Sequence, residues 1–299
     1  MTQTDYITTT DGAKIAYRVL NKASSAIPAI LVAGISSVKE DWGAFAEELA
    51  KHRPVIIFDN RGIGFSTLSP PLPPSRTPPP VTILQLATDT FSLLEYLHYT
   101  TFHLLGMSLG GMISLQLSLL LRGRDDFRCA SLTLLCTTAK APRRNPFAML
   151  YFQLGEWLRL GKFDDRRKGE FEEELWGLLF SPAWYREKRG TEEGKKIMER
   201  YRSGNRPYEI IMQQFMATSS FDVTDQLHLI SIPTLVVHAA GDRILPFEGG
   251  EVIAEGVKGA KFHPLSQDIG HMMMDMDNGE TATAVSSFLS TADFPKAKL

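Results

Sequence analysis

Short apolar runs alternate with segments of helical periodicity along most of the chain. The apolar runs at 29–33 and 55–59 predict buried strands, and Trp42, Phe45 and Leu49 lie between them at helical spacing. The alternation continues with one further predicted helix and three predicted strands: 82–99, 102–105, 131–136 and 234–238. This pattern is typical of an α/β protein whose mostly parallel sheet carries helices on both faces.

Two segments depart from this alternation. Near the start, β-rich runs at 6–10 and 14–20 flank Asp11-Gly12, which predicts a hairpin and an antiparallel pair. Later, the chain predicts no strand for almost a hundred residues and instead predicts four helices: 147–160, 167–180, 191–203 and 208–217. We interpret this aromatic-rich stretch as a helical insertion over the sheet, with some aromatic side chains facing a pocket.

The proline-rich segment 69–80 predicts neither helix nor central strand. Its composition favours an extended polyproline II conformation on the surface. Such a segment serves either as a solvated connector, which we favour, or as a ligand for an SH3-like domain.

Composition excludes several classes of protein. The 299 residues carry 32 Lys and Arg against 34 Asp and Glu, a net charge of −2 that provides no basic surface for nucleic acid. The two cysteines, Cys129 and Cys136, are too few for a disulfide scaffold or a four-cysteine metal site. They fit buried thiols in a reducing compartment. We also expect no secretory signal and no membrane span.

The candidate nucleophile is Ser108, within Gly106-Met-Ser-Leu-Gly110. A predicted strand leads into this pentapeptide and an apolar segment of helical character follows it. Small residues around the serine allow the sharp turn that exposes a nucleophilic hydroxyl above a sheet. The alternative is a glycine-rich turn without chemistry.

A serine nucleophile needs a base and a carboxylate that orients the base. Asp242 follows the predicted strand 234–238, and His271 follows a further predicted strand at 261–265. Both would reach the carboxyl edge of the sheet, where ligands bind in open α/β folds. We therefore expect Ser108, His271 and Asp242 to form a triad.

These features resemble the α/β-hydrolase superfamily over nearly the whole chain. A second motif, Asp59-Asn-Arg61-Gly62-Ile-Gly64-Phe-Ser66, is similar to a segment common after the fourth strand of that family. The resemblance implies a core formed by 1–140 and 221–299, with a helical cap at 141–220 between strands six and seven. The family's alternative acid position falls on Cys136-Thr-Thr138, where no carboxylate is present.

The resemblance also implies an oxyanion hole built from two backbone N–H groups, those of Leu109 and Ile35. Many relatives have His-Gly at the start of the loop after strand three, whereas this chain has Ala33-Gly34. Because the donors are backbone groups, this departure changes the neighbouring loop contacts and leaves the donors in place.

Other candidate residues receive structural interpretations. We expect His103 and His238 to be hydrogen-bonded core residues, and Asp222 and Asp225 to be caps or structural carboxylates. The methionines that follow His271 would pack against the site or line it: Met272, Met273, Met274 and Met276. No cluster has metal-ligand spacing, so we expect no metal and no cofactor.

The sequence thus predicts a serine hydrolase, similar to esterases and lipases, acting on an ester, lactone or thioester of a small apolar substrate with an acyl or aromatic group. An aspartate nucleophile of the kind used by some dehalogenases and epoxide hydrolases is disfavoured. A cofactor-free lyase, a C–C hydrolase, a perhydrolase and a slow-turnover ligand-binding receptor remain as alternatives on the same fold.

The last three residues, Ala297-Lys298-Leu299, resemble a peroxisomal address. In a eukaryote they predict binding to the peroxisomal import receptor and a peroxisomal location. Otherwise we expect a cytoplasmic protein.

Overall fold

One mixed sheet of eight strands organises the fold. The computed structural model describes residues 3–69 and 80–293. Strands β1 to β8 are Asp5–Thr8, Lys14–Leu20, Ala29–Val32, Val55–Phe58, Thr101–Met107, Arg128–Leu135, Thr234–Ala239 and Lys261–Leu265. Their order is β1-β2-β4-β3-β5-β6-β7-β8. Strand β2 pairs antiparallel with β1 and β4, and every other pair is parallel.

Ten α-helices and three short 3₁₀ helices accompany the sheet. Helices α1 to α10 are Gly43–Ala50, Ile83–Tyr96, Leu109–Leu120, Pro146–Arg159, Asp165–Leu179, Pro182–Lys188, Glu192–Arg202, Tyr208–Ser219, Glu248–Gly256 and Glu280–Asp293. The 3₁₀ helices are Lys39–Trp42, Thr224–Leu229 and Met273–Asp275. These are the helices of the described residues, and none of them is long and apolar enough to cross a membrane.

The apolar core lies on both faces of the sheet. Ile30 and Leu104 belong to one cluster of buried side chains, whereas their chain neighbours Leu31 and Leu105 belong to a second cluster. Successive side chains of a strand point to opposite faces, so strands that are apolar at every position require cover on both sides. The predicted α/β architecture is confirmed.

The predicted hairpin is present, with a longer turn than expected. Thr8 pairs with Lys14, so five residues separate the paired ends of β1 and β2. Of the dipeptide Asp11-Gly12, only Gly12 has a positive φ, at 86°. The glycine alone therefore provides the left-handed conformation that the turn requires.

Helices α4 to α8 lie between β6 and β7, and we call them the helical insertion. Four of them overlap the predicted helices, and α6 is additional. Its start carries a local signal: the Ser181 side chain accepts a hydrogen bond from Trp184 N–H, and Pro182 occupies the first turn. Aromatic residues pack the inside of the insertion, including Phe147, Tyr151 and Phe215.

The two cysteines differ in burial. Cys136 is fully buried, as expected, but Cys129 is only partly buried, so the prediction for Cys129 was wrong. Cys129 is the second residue of β6, next to the exposed Arg128 at the start of the strand, and the residues that follow it are buried. The proline-rich positions 70–79 and the C-terminal Ala297-Lys298-Leu299 lie outside the described residues.

Candidate active site

Ser108 occupies a sharp turn between β5 and α3. Its φ is 55° and its ψ is −121°, a conformation that side-chain-bearing residues rarely adopt. A Cβ on Gly106 would lie 2.2 Å from the Gly110 carbonyl oxygen, and one on Gly110 would lie 1.8 Å from the Val32 carbonyl oxygen. Both positions therefore require glycine. Thr137 Oγ1 secures the turn by donating to the Ser108 carbonyl oxygen at 2.7 Å.

Asp242 and His271 form a hydrogen-bonded pair. The His271 Nδ1 atom lies 2.7 Å from Asp242 Oδ2. The other carboxylate oxygen, Oδ1, accepts from the N–H groups of Ile244 at 2.8 Å and Leu245 at 3.0 Å. The turn after β7 thus fixes the carboxylate plane, and the carboxylate in turn fixes the imidazole ring. In a triad, this arrangement selects the tautomer that leaves Nε2 free to accept a proton.

The charge of Asp242 is stabilised by two imidazoles. Burial alone would raise the pKa of this carboxyl group, but the neighbouring His271 imidazole and hydrogen bonds from His238 and His271 outweigh burial and lower its pKa. His238 is fully buried as expected, and its Nε2 lies 3.4 Å from Asp242 Oδ2 and 3.2 Å from the Leu245 carbonyl oxygen. Asp242 therefore stays ionised at neutral pH.

Ser108 and His271 line one pocket. Its empty volume is about 560 Å³, which includes solvent space at its mouth. The hydrogen bonds among the described residues include none from Ser108 Oγ to His271, a contact that in unliganded enzymes often tightens only when substrate binds. The apolar part of the lining includes Ile35, Met107, Phe147, Leu175, Trp176, Leu179 and Met272.

The two predicted oxyanion donors lie beside Ser108. Ile35 lines the pocket, and Leu109 is the first residue of α3, directly after Ser108. Within the described ranges, neither backbone N–H has an acceptor in the protein. A Cβ on Gly34 would lie 3.3 Å from the Ser108 Cβ, so the loop passes close to the serine. Asn60 holds the start of this loop because its Nδ2 donates to the Ala33 carbonyl oxygen at 3.0 Å.

The motif that begins at Asp59 stabilises the loops around the site. Asp59 accepts from the Lys39 backbone N–H at 2.7 Å and from Lys39 Nζ at 2.9 Å, and both side chains are fully buried. Arg61 binds Asp89 and Asp11 through charge-assisted hydrogen bonds. A Cβ on Gly64 would lie 2.4 Å from the Asp59 carboxylate. None of these residues lines the pocket, so the motif has a structural role.

Cys136 occupies the alternative acid position and lies against the pair. Its thiol, Asp242 and His271 offer ligand atoms within 4.8 Å of one another, which is the geometry of a possible metal site among the described residues. An ion there would compete with the hydrogen bond between Asp242 and His271. Burial, reinforced by the Asp242 charge, also raises the Cys136 pKa well above its ordinary value, which disfavours the thiolate that a metal needs. We therefore interpret Asp242 and His271 as partners in a hydrogen bond, and we do not interpret the three residues as metal ligands.

The remaining candidates have structural surroundings. His103 is buried, and its ring nitrogens lie 2.8 Å from Ser131 Oγ and 2.9 Å from Asp293 Oδ1. Asp222 pairs with Lys140 at 2.7 Å, far from the pocket lining. Of the four methionines, Met272 lines the pocket, Met273 and Met276 are buried, and Met274 is partly buried.

Sequence reasoning missed the polar half of the pocket lining. Asp41 and Tyr201 contribute to it, together with Arg206, whose guanidinium pairs with the Asp41 carboxylate at 2.8 and 2.9 Å. Asp41 and Arg206 are 165 positions apart. No spacing or motif in the sequence signals that the two residues meet, because the insertion must first fold back over the sheet.

Comparisons with known proteins identify the family to which this fold belongs. The family model described as "alpha/beta hydrolase fold" matches residues 28–275. A protein of Variovorax paradoxus (strain S110) named "Putative carbamate hydrolase RutD" is 28% identical over 241 residues, which cover 78% of this chain and 81% of the relative.

Two solved structures share the fold over almost their full length. A hydrolase from Pseudomonas aeruginosa PA01 superposes with a TM-score of 0.76 and 28% identity, covering 96% of this chain and 98% of that one. A thermophilic esterase from Thermogutta terrifontis superposes with a TM-score of 0.75 and 25% identity, covering 98% and 100%. The chain belongs to the alpha/beta hydrolase family and is a hydrolytic enzyme.

Proposed function

We propose that this enzyme hydrolyses a carboxylic ester-type bond of a small, apolar substrate through Ser108, His271 and Asp242. The observation that carries the proposal is the 2.7 Å hydrogen bond between Asp242 and His271 in a pocket that His271 shares with Ser108. A carboxylate-oriented histidine close to a serine is the arrangement that makes a hydroxyl nucleophilic.

The mechanism has two proton-transfer cycles. His271 Nε2 takes the proton of Ser108 as Oγ attacks the substrate carbonyl carbon, and the resulting oxyanion is stabilised by the N–H groups of Ile35 and Leu109. His271 then gives that proton to the leaving alcohol, and an acyl-enzyme remains on Ser108. Water next attacks the acyl carbon, His271 takes its proton, and return of that proton to Ser108 Oγ releases the acid. Asp242 stays ionised throughout.

The lining narrows the substrate class. Most of the pocket wall is apolar, and the charges of Asp41 and Arg206 neutralise each other. A mostly apolar pocket with a few polar groups is typical of a site for a small molecule. We infer a neutral ester, lactone or thioester with a short acyl or aromatic group. Carbamates join this group because the relative from Variovorax paradoxus carries that activity in its name.

A panel of neutral substrates tests the proposal. The wild-type enzyme should hydrolyse p-nitrophenyl esters, thioesters, aryl carbamates or lactones, with release of one acid per bond cleaved, and should be labelled once per chain by a fluorophosphonate. Absence of labelling together with tight ligand binding would instead support a receptor. Cleavage of a C–C bond would support a C–C hydrolase. Transfer of the acyl group to added hydrogen peroxide, with release of a peracid in place of the acid, would support a perhydrolase.

We further propose that residues 141–220 form a cap that selects the substrate, over a core of 1–140 and 221–299. Leu175 of α5 lines the pocket, whereas Leu158 of α4 is exposed on the insertion. Leu175→Ala should therefore raise kcat/KM for an acyl chain two carbons too long by about tenfold, since one methylene changes discrimination by about 1 kcal/mol or more. The measurement is kcat/KM across a series of p-nitrophenyl esters.

Leu158→Ala is the matched control, because it makes the same substitution in the same insertion away from the pocket. Its chain-length profile should equal that of the wild type. Identical profiles for both variants would show that the insertion does not choose the acyl group.

The C-terminal tail supports a proposal about location that depends on the source. In a eukaryotic cell, Ala297-Lys298-Leu299 would bind the peroxisomal import receptor and direct the enzyme to peroxisomes. Lipid-derived esters and thioesters would then be favoured substrates.

A further inference from the structure

The loop that carries the Ile35 N–H is held by the helical insertion. Ser36, the next residue, has a φ of 60°, in the left-handed region that serine rarely adopts. Its N–H donates to Gln214 Oε1 at 2.9 Å, and its carbonyl oxygen accepts from Arg206 Nη1. Side chains 178 and 170 positions later thus fix both backbone polar groups of Ser36.

Gln214 is a buried residue of α8 whose side-chain amide forms a hydrogen bond with this loop. Its side chain is fully inaccessible, and it is not among the residues that line the pocket. The Oε1 atom accepts from Ser36, whereas Nε2 has no hydrogen-bond partner in the part of the chain that the structure describes. An unpaired buried N–H costs free energy, so the favourable polar contribution of this amide comes from its oxygen. The bond to Ser36 is the interaction that the residue provides.

Arg206 supports the same loop from the other side. Besides the Ser36 carbonyl, its guanidinium contacts Asp41, whose Oδ2 also accepts from the Val38 N–H at 3.0 Å. Arg206 lines the pocket, so its replacement would change substrate contacts as well as the loop. Gln214 acts on the loop without touching the pocket and is therefore the cleaner probe.

We propose that Gln214 is a positioning residue for the oxyanion hole, acting through the peptide between Ile35 and Ser36. Loss of its hydrogen bond would let Ser36 relax to a negative φ, and this rotation would turn the adjacent peptide and move the Ile35 N–H. Oxyanion stabilisation depends on donors that are already aligned with the developing charge. The insertion thereby controls catalysis as well as access. This inference rests on the proposed function of Ser108, Ile35 and Leu109.

Gln214→Met tests it, because methionine has a similar length and no amide oxygen. We expect kcat to fall about 10- to 100-fold with KM changed less than about threefold, somewhat below the loss for a deleted oxyanion donor. Gln213→Met is the matched control: the neighbouring Gln213 Oε1 accepts from the Val81 N–H at 3.2 Å, away from the oxyanion loop. Its kcat should remain near that of the wild type.

A transition-state readout separates positioning from a general loss of structure. The inhibition constant of a trifluoromethyl ketone, which forms a tetrahedral adduct with a serine, should rise in proportion to the loss of kcat/KM in Gln214→Met. Gln214→Glu keeps the acceptor atom and should recover most of kcat. Should Gln214→Met not fold, Gln214→Asn serves the same comparison, because its shorter amide does not reach Ser36.

The contrary results are distinct. If kcat of the folded variant lies within about twofold of wild type, or if kcat falls while the inhibition constant stays unchanged, Gln214 does not position the oxyanion hole. Ser108→Ala is assayed in parallel. Inactive Ser108→Ala beside fully active Gln214→Met would overturn this inference alone, whereas active Ser108→Ala would overturn the proposed function on which it rests.

Discussion

Ser108→Ala should lower kcat by about 10⁴-fold or more while the protein remains folded, because the substitution removes the attacking oxygen and little else. The Ser108 side chain caps no backbone group of α3, so its loss leaves the turn's hydrogen bonds in place. The bond from Thr137 to the Ser108 carbonyl oxygen also survives, since it involves the backbone. Initial rates on the best ester of the panel and the thermal unfolding midpoint measure the two effects.

The control for this prediction is Ser118→Ala. Ser118 is a buried serine of α3, whose Oγ donates to the Ser114 carbonyl oxygen within the helix. It should retain wild-type turnover and fluorophosphonate labelling, whereas Ser108→Ala should lose both. Labelling that persists in Ser108→Ala would place the nucleophile elsewhere.

Much of the scaffold could be predicted because its signals are local. A parallel sheet buried on both faces needs apolar strands, and Ala29–Val32 and Val55–Phe58 are buried at every position. A capping side chain also marks the start of a helix. The Thr82 side chain accepts from the Gln85 N–H, and α2 begins at Ile83, one residue after the predicted start. The prediction omitted the helix Pro182–Lys188, whose seven residues are too few to show a clear helical periodicity even though Ser181 caps its start.

The positions of the proposed catalytic residues could be predicted for a different reason. In a parallel sheet, every strand delivers the residues after its carboxyl end to the same edge. Ser108 follows β5 and Asp242 follows β7, so strand order alone places them near one another. Gly106 and Gly110 lie on either side of the serine, and a Cβ at either position would clash. The two glycines therefore indicate a sharp turn at Ser108.

The contacts between the insertion and the sheet could not be predicted in this way. Gln214 meets Ser36 and Arg206 meets Asp41 only after α4 to α8 pack over the strand ends. Their pairing depends on tertiary geometry over more than half of the chain, and neither pair carries a local pattern. For the same reason, the sequence did not predict the polar side of the pocket, whereas the candidate nucleophile has a local motif.

Asp242→Asn should lower kcat by about 10³- to 10⁴-fold with little change in KM, although it alters only one group that never touches the substrate. The Asn Oδ1 atom can still accept from the N–H groups of Ile244 and Leu245, so the turn keeps its conformation. The second atom facing His271 Nδ1 becomes an NH₂ group, which donates and no longer accepts. The imidazole then favours the tautomer with its proton on Nε2, the atom that must take the proton of Ser108.

The measurement is kcat and KM with the best ester, and Asp222→Asn is the control, since Asp222 pairs with Lys140 on the surface. Asp222→Asn should match the wild type. A fully active Asp242→Asn enzyme would mean that the 2.7 Å contact is structural and that another carboxylate orients His271.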